Sequence, residues 1–348
     1  MEGEIKNLTI VWSSIIASLC YCYFVASEIP KGTYRLLSLL PIFSLFTIIP
    51  LSLTYAFPTA VTTFFITWLA NFKLLLFCFD LGPLSSSNPN PPLSLPLFIS
   101  ISCLPIKIKP KNSQSTKPKK KIPLNLATES LIFSVMIGVI YDYREVMHPN
   151  IVLTLYCCLV FLMIDIIVAI CSSAARAVIG LELEQPSDEP YVATSLQDFW
   201  GKRWNLTVTN LLRHTVYNPA RSAFAVVLGG AWAPLPAVVA TFAVSGLMHE
   251  LLFYYVTRAT PSWEMTSFFV LHGLCVVVEF VLKRALTDRW QLHWAVSGPL
   301  TVGFVMATSF WLFFPPLMRN GADVKVIGEF IAFVEFIKSS LRLPFLVG

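Results

Sequence analysis

Thr241-Phe-Ala-Val-Ser-Gly-Leu-Met-His-Glu-Leu-Leu-Phe253 is an apolar run that carries an imidazole, His249, and a carboxylate, Glu250, near its end. A run of this kind belongs in hydrocarbon, where an ionisable side chain is expensive and is kept mainly where it serves a path or a reaction. The stretch therefore poses two questions at once, the membrane fold and the task of His249.

The rest of the chain has the same character. Over 348 residues, 55% are hydrophobic, 14% aromatic and only 13% charged, and the mean hydropathy is +0.68. That is too apolar for a soluble domain. Apolar segments recur from Leu8–Ala26 to Val324–Ile337, and their lengths predict about eight to ten helical spans. The expectation is an all-α polytopic protein in which residues 1–348 form a single membrane-embedded domain. The first segment reads as a retained span, since Glu2 and Glu4 stand where a signal peptide would be basic. All eight cysteines lie in or beside apolar runs, and no disulfide framework or metal-binding spacing is suggested.

Loops set the orientation. A Pro/Ser-rich basic loop over about 84–122 holds Lys107, Lys109, Lys111, Lys117, Lys119, Lys120 and Lys121 without an acidic residue among them, and the positive-inside rule places it in the cytosol. It reads as a solvated topology signal; no aromatics interleave with the lysines, so nucleic-acid binding is not supported. Alternation puts Lys31, Arg35 and the loop from Ser172 to Arg221 on the same side. With Ala223–Ala240 and Thr241–Val256 taken as two spans, Lys283, Arg284 and Arg289 fall on the other side, which predicts a split or re-entrant segment late in the chain.

An amphipathic interfacial helix is expected over about 195–213. Ser195 with Asp198 matches a capping box, and Leu196, Phe199, Trp200, Trp204, Val208 and Leu211 make an apolar stripe. Lys202, Arg203 and Arg213 supply the basic flanks of a helix in the headgroup layer. Asp198, Lys202, Asn205 and Thr209 form the opposite, polar face, for which simple solvation is the plain alternative.

His249 has a rival in His272, two turns before Glu279 on one helical face, where the pair can form a buried hydrogen bond or ion pair. A lone membrane histidine can also be satisfied by a neighbouring helix; Ser245, four residues earlier on the same face, is a suitable partner for His249. Glu250 is rotated by roughly 100° and is a poorer one. His249-Glu250 lacks the second histidine of a zinc protease, and no G-x-S-x-G elbow, P-loop or dinucleotide fingerprint occurs. HxxxxD and HHxxxDG acyltransferase sequences are absent too. What remains suits general-base chemistry on a lipid.

Tyr191-Val-Ala-Thr-Ser-Leu-Gln-Asp-Phe-Trp-Gly-Lys-Arg-Trp-Asn205, Thr215-Val-Tyr-Asn-Pro219 and Ser245-Gly-Leu-Met-His-Glu250 together resemble the plant wax ester synthases and acyl-CoA:sterol acyltransferases. Both groups belong to the membrane-bound O-acyltransferase superfamily. Trp68-Leu-Ala-Asn-Phe-Lys-Leu-Leu-Leu76, Gly82-Pro-Leu84 and Ser102-Cys-Leu-Pro-Ile-Lys107 extend the resemblance over most of the chain. It implies a helical fold around a tunnel in the endoplasmic reticulum membrane, with acyl-CoA as co-substrate and no cofactor or metal. It further implies His249 as the catalytic residue and Asn205 as its partner, with Trp204, Lys202, Arg203 and Ser245 as substrate-binding candidates. The basic Lys202, Arg203 and Arg213 suit the CoA phosphates, and membrane anchoring is the equal alternative for them. The acceptor it implies is a long-chain alcohol, giving wax esters; sterols or diacylglycerol are the alternatives. A reading of another class is a transporter whose path is lined by Asn71, Lys73, Asp80, His249, His272 and Glu279, although no repeat symmetry supports it.

Overall fold

A computed structural model describes residues 2–85, 93–105, 126–179, 187–286 and 292–340. The basic loop predicted over 84–122 lies mostly outside them, as does Arg289. The described residues are helical with no strand. In chain order the α-helices are α1 (Glu2–Phe24), α2 (Thr33–Ile48), α3 (Ala56–Thr63), α4 (Asn71–Cys78), α5 (Leu95–Cys103), α6 (Leu126–Tyr143), α7 (Pro149–Ile179) and α8 (Leu196–Asp198). They continue as α9 (Leu206–Leu212), α10 (Asn218–Leu228), α11 (Pro234–Thr257), α12 (Glu264–Ala285), α13 (Trp294–Thr308), α14 (Phe314–Arg319) and α15 (Ala322–Ser340).

Eight helical stretches among the described residues are long and apolar enough to cross a membrane. Hydrocarbon offers their polar side chains no water, so these turn back onto their own helices: Ser18 donates to the Ser14 carbonyl at 2.8 Å and Thr301 to that of Ser297 at 2.7 Å. The stretch Ala56–Cys78 is 72% buried, against 11% for Leu126–Tyr143, which makes the former the centre of the bundle and the latter its lipid-facing rim.

The chain does not place two spans over residues 223–256. Gly229, at φ +76°, stops α10 after eleven residues, and Pro234 opens α11 as one 24-residue span. Glycine is free to take that φ, and proline at a first helical turn gives up no hydrogen bond. With one crossing removed, α12 ends where Glu279 accepts from the Leu196 N–H at 2.8 Å and pairs with Lys283. Lys283 and Arg284 thus return to the face of the bundle that the predicted basic loop joins.

The opposite face is tied loop to loop. Arg258 donates to the Leu51 and Leu53 carbonyls, both at 3.1 Å, Glu4 accepts from the Thr54 and Tyr55 N–H groups, and Arg144 pairs with Asp323 at 3.0 Å. Two large apolar clusters fill most of the interior, with a small third around Ala56, Val256 and Ala322. One joins α1, α2, α4, α5, α7, α9 and residues 64–70 around Phe46, Ile66 and Leu74, and the other joins α6, α7, α14 and α15 around Ile140, Tyr156 and Phe314. Between them runs the cavity that holds the site.

Candidate active site

α11 and α12 cross closely because glycine stands at each contact. A Cβ on Gly246 would lie 2.9 Å from Thr266 Cα, and one on Gly273 would lie 2.8 Å from Phe242 Cβ. Small residues at helix crossings allow this approach. Glu250 locks the pair, since its carboxylate accepts from the Trp263 N–H at 2.9 Å and the Thr266 N–H at 3.1 Å. It caps the first turn of α12, where negative charge is favoured, and is 3% exposed. Glu250 is thus a structural neighbour of the imidazole.

His249 is fixed on the far side of the same helix. Its Nδ1 lies 2.7 Å from the Ser245 carbonyl oxygen; a carbonyl only accepts, so the proton sits on Nδ1 and Nε2 keeps a free lone pair. The ring stacks on Phe269 at 4.1 Å between centroids, meets Trp68 edge to face at 4.9 Å, and approaches Phe313 at 6.1 Å. Nε2 has no hydrogen-bond partner among the described residues. Ser245 does satisfy His249, through its carbonyl and not its hydroxyl.

His272 is committed elsewhere. Trp200 Nε1 donates to its Nδ1 at 3.0 Å, which leaves the proton on Nε2 to bond Thr308 Oγ1 at 2.9 Å. The expected pairing with Glu279 does not form, because Glu279 caps α8 and bonds Lys283. His272 therefore orients Trp200 and has no lone pair left for a substrate.

The segment over 195–213 is not one continuous helix. Ser195 Oγ accepts from the Asp198 N–H at 3.1 Å, as a capping box requires. The chain then passes through a π-helical segment, Phe199–Arg203, breaks at Trp204 and Asn205, and restarts as α9. Asn205 takes φ +39°, a left-handed conformation asparagine tolerates, and its Oδ1 accepts from the Val208 N–H at 3.2 Å. Its Nδ2 has no acceptor among the described residues. The break brings Asn205 and Thr209 of the polar face to the cavity, beside Trp200 and Trp204, and leaves Asp198 and Lys202 outside its lining.

That cavity, about 1310 Å³, runs from Arg213, Tyr217 and Arg221 at the basic face, past Asn205 and His249, to Met318, Ala322 and Asp323 at the opposite face. It exceeds the roughly 300–1,000 Å³ of common ligand pockets. Trp204 and Ser245 line it as well, whereas Lys202 and Arg203 do not. Lys202 is exposed, and the Arg203 guanidinium is held by Asp198 at 2.7 Å and the Asp188 carbonyl at 3.1 Å. Arg213 and Arg221 carry no hydrogen bond or ion pair among the described residues and are exposed at the mouth. Of the transporter candidates, His249 alone lines the cavity among the described residues; Lys73, for example, spends its ammonium on the Ile101 and Leu104 carbonyls at 2.6 and 2.7 Å.

Four π-helical segments occur among the described residues: Phe64–Ala70, Phe199–Arg203, Arg213–Tyr217 and Ser309–Phe313. Each supplies cavity wall, through Trp68, Trp200, Arg213 and Phe313 among others. Such turns are rare and concentrate at functional sites. No sequence signal announced them, and Arg221, Phe269 and Phe313 were missed with them; the eight-residue interval from Arg213 to Arg221 was the one available hint.

The cavity reaches both faces of the bundle, and His249 is the histidine that lines it among the described residues. Residues 184–271 match the membrane bound O-acyl transferase family, and the chain belongs to that family and is an acyltransferase. It is 44% identical to the long-chain-alcohol O-fatty-acyltransferase of Simmondsia chinensis over 98% of each chain. It is likewise 44% identical to acyl-CoA–sterol O-acyltransferase 1 of Arabidopsis thaliana over 93% of this chain and 94% of that one. A probable long-chain-alcohol O-fatty-acyltransferase 1 from the same plant is 42% identical over 97% and 98%.

Proposed function

We propose that the protein transfers a fatty acyl group from acyl-CoA to the primary hydroxyl of a long-chain alcohol, releasing a wax ester and free CoA. The observation that carries this reading is the aromatic collar at His249. Phe269, Trp68 and Phe313 crowd the imidazole on several sides, and this favours a slim primary hydroxyl over the secondary hydroxyl of a fused ring system.

In this reading His249 Nε2 accepts the hydroxyl proton as the alcohol oxygen attacks the thioester carbonyl. The spare Nδ2 of Asn205 donates to the oxygen on which charge develops. Collapse breaks the C–S bond, and the imidazolium returns the proton to the departing thiolate. Arg213 and Arg221 suit the phosphates of CoA, to which guanidinium groups bond in a fork. Their mouth then faces the cytosol, as positive-inside asymmetry favours, and the membrane is that of the endoplasmic reticulum.

Competition among acceptors tests this. Membranes from a host without ester synthases of its own would be given one labelled acyl-CoA and an equimolar pool of fatty alcohol, sterol and diacylglycerol. Wax ester should dominate the labelled product. Steryl ester as the main product would overturn the acceptor assignment and leave the acyltransferase chemistry standing.

A further inference from the structure

Gln197 stands in α8, ahead of the Trp-Asn block, and lines the cavity. Trp200, Gly201 and Trp204, at three, four and seven residues on, line it too, whereas Asp198 and Lys202 do not. That spacing is one face of a helix, so the Gln197 side chain is aimed into the cavity. It is half-buried. Neither polar atom of its amide has a hydrogen-bond partner among the described residues, and neither is sealed from contact with a bound molecule.

The walls around this amide are apolar. Val276 and Phe280 flank Glu279 on α12, Val302 and Met306 lie one and two turns beyond Gly298 on α13, and all four line the cavity. Both helices reach the Gln197 segment: Glu279 accepts from the Gln197 N–H at 3.4 Å, and a Cβ on Gly298 would lie 3.8 Å from the Ala193 carbonyl oxygen. A Cβ on Gly201 would meet nothing within 4 Å, so open space lies one turn from the amide. Phe280 is 39% exposed on its span, which brings this limb of the cavity to the lipid-facing surface. Its depth follows from Glu279, which also pairs with Lys283 on the basic face; a lysine at a span end reaches for the headgroup level.

We propose that Gln197 is a recruitment site for the long-chain alcohol, at which its amide binds the hydroxyl as the molecule leaves the cytosolic leaflet; the proposal rests on the acceptor reading above. An alcohol in a leaflet keeps its hydroxyl among the headgroups, because a hydroxyl without a partner is costly in hydrocarbon. Gln197 lies at that depth. A hydroxyl donates and accepts, and an amide does both in return: Oε1 takes the O–H and Nε2 donates to the oxygen. The thioester carbonyl only accepts and would leave Oε1 unmatched, while the CoA phosphates call for the guanidinium groups at the arginine mouth. The alkyl chain then lies in the limb between α12 and α13, along the space that Gly201 leaves open.

The test reads binding without turnover. Full-length protein in membranes, without acyl-CoA, would be photolabelled with a long-chain alcohol carrying a diazirine near its far end. Competitors of equal chain length would be the plain alcohol, its methyl ether, which accepts but cannot donate, and the alkane. In the wild type the alcohol should displace the probe about 10-fold better than the ether or the alkane. Gln197→Leu should make the three competitors equal, and Gly201→Val should weaken labelling by the probe itself. Binding of an S-alkyl-CoA thioether should be unchanged in both variants. An alcohol preference that survives Gln197→Leu overturns the proposal, as does loss of thioether binding in that variant, which would make Gln197 a structural residue. So does a preference lost in His249→Ala and kept in Gln197→Leu, which would place the hydroxyl at the imidazole. The acceptor competition is read separately: steryl ester as its main product removes the acceptor reading, whereas a surviving preference in Gln197→Leu removes the recruitment site alone.

Discussion

His249 and His272 sit on adjacent helices in equally apolar surroundings, and the difference between them is one lone pair. Nδ1 of His249 gives its proton to a carbonyl and leaves Nε2 open, while both nitrogens of His272 are used, by Trp200 and Thr308. His249→Ala should therefore lower turnover by roughly 100-fold or more with insertion into the membrane unchanged, as measured by ester formation per unit of protein. His272→Ala instead leaves the Trp200 indole N–H unpaired, at about 1–3 kcal/mol, while Thr308 keeps its bonds to the Phe304 and Val305 carbonyls. Its loss should show as faster thermal inactivation, with activity largely recovered at low temperature; a kcat collapse at every temperature would move the base to His272. Asn205 allows a finer separation. Asn205→Asp keeps the oxygen that caps Val208 and tolerates the left-handed backbone, yet it removes the amide donor and adds a charge facing the oxyanion. Activity should fall at least as far as for Asn205→Ala, whereas Asn210→Asp on α9, outside the cavity lining, should be mild. Equal behaviour of the two aspartate variants would leave the site resting on His249.

Between elements, the α11–α12 crossing sets how firmly the imidazole is held. Gly246→Ala would drive a methyl to 2.9 Å from the Thr266 backbone and 3.2 Å from Phe269 Cβ, and Phe269 is the ring stacked on His249. Overpacking of this kind costs about 1–3 kcal/mol, and displacement of the base should lower kcat by about 10- to 100-fold. Gly328→Ala in α15, where a Cβ meets nothing within 4 Å, is the matched control and should be neutral or slightly stabilising; kcat and heat-inactivation half-life measured together decide. The elements themselves were unevenly legible in the sequence. Apolar length alone gives most spans, and the capping box at Ser195 is local chemistry that spacing displays. The two spans read over residues 223–256 failed because an apolar tally ignores punctuation: Gly229-Gly230 and Pro234 mark the stop and restart that the fold uses. The imidazole and the Trp-Asn block stood out because polar groups are costly in an apolar setting. The π-helical turns and the fate of Glu250 arise from contacts between distant segments, which no window of sequence contains.

For the whole molecule, the tunnel has two chemically different ends, and its direction across the membrane decides which substrate can reach which. Arg213 and Arg221 mark one mouth, and Lys283 and Arg284 end on that same face, which the lysines of residues 107–121, outside the described residues, are predicted to join. Positive charge of this kind is retained in the cytosol, so protease added to sealed endoplasmic-reticulum vesicles should cut near Lys117–Lys121 without detergent. The loop after α11, which Arg258 ties to Leu51 and Leu53, belongs to the other face. An N-glycosylation acceptor inserted next to Pro261 should be modified, and one inserted between Arg284 and Leu292 should not. Both insertions discriminate, because counting residues 223–256 as two spans predicts the opposite result for each. Modification between Arg284 and Leu292, or protection of the lysine run, would reverse the orientation and set the arginine mouth in the lumen, away from cytosolic acyl-CoA.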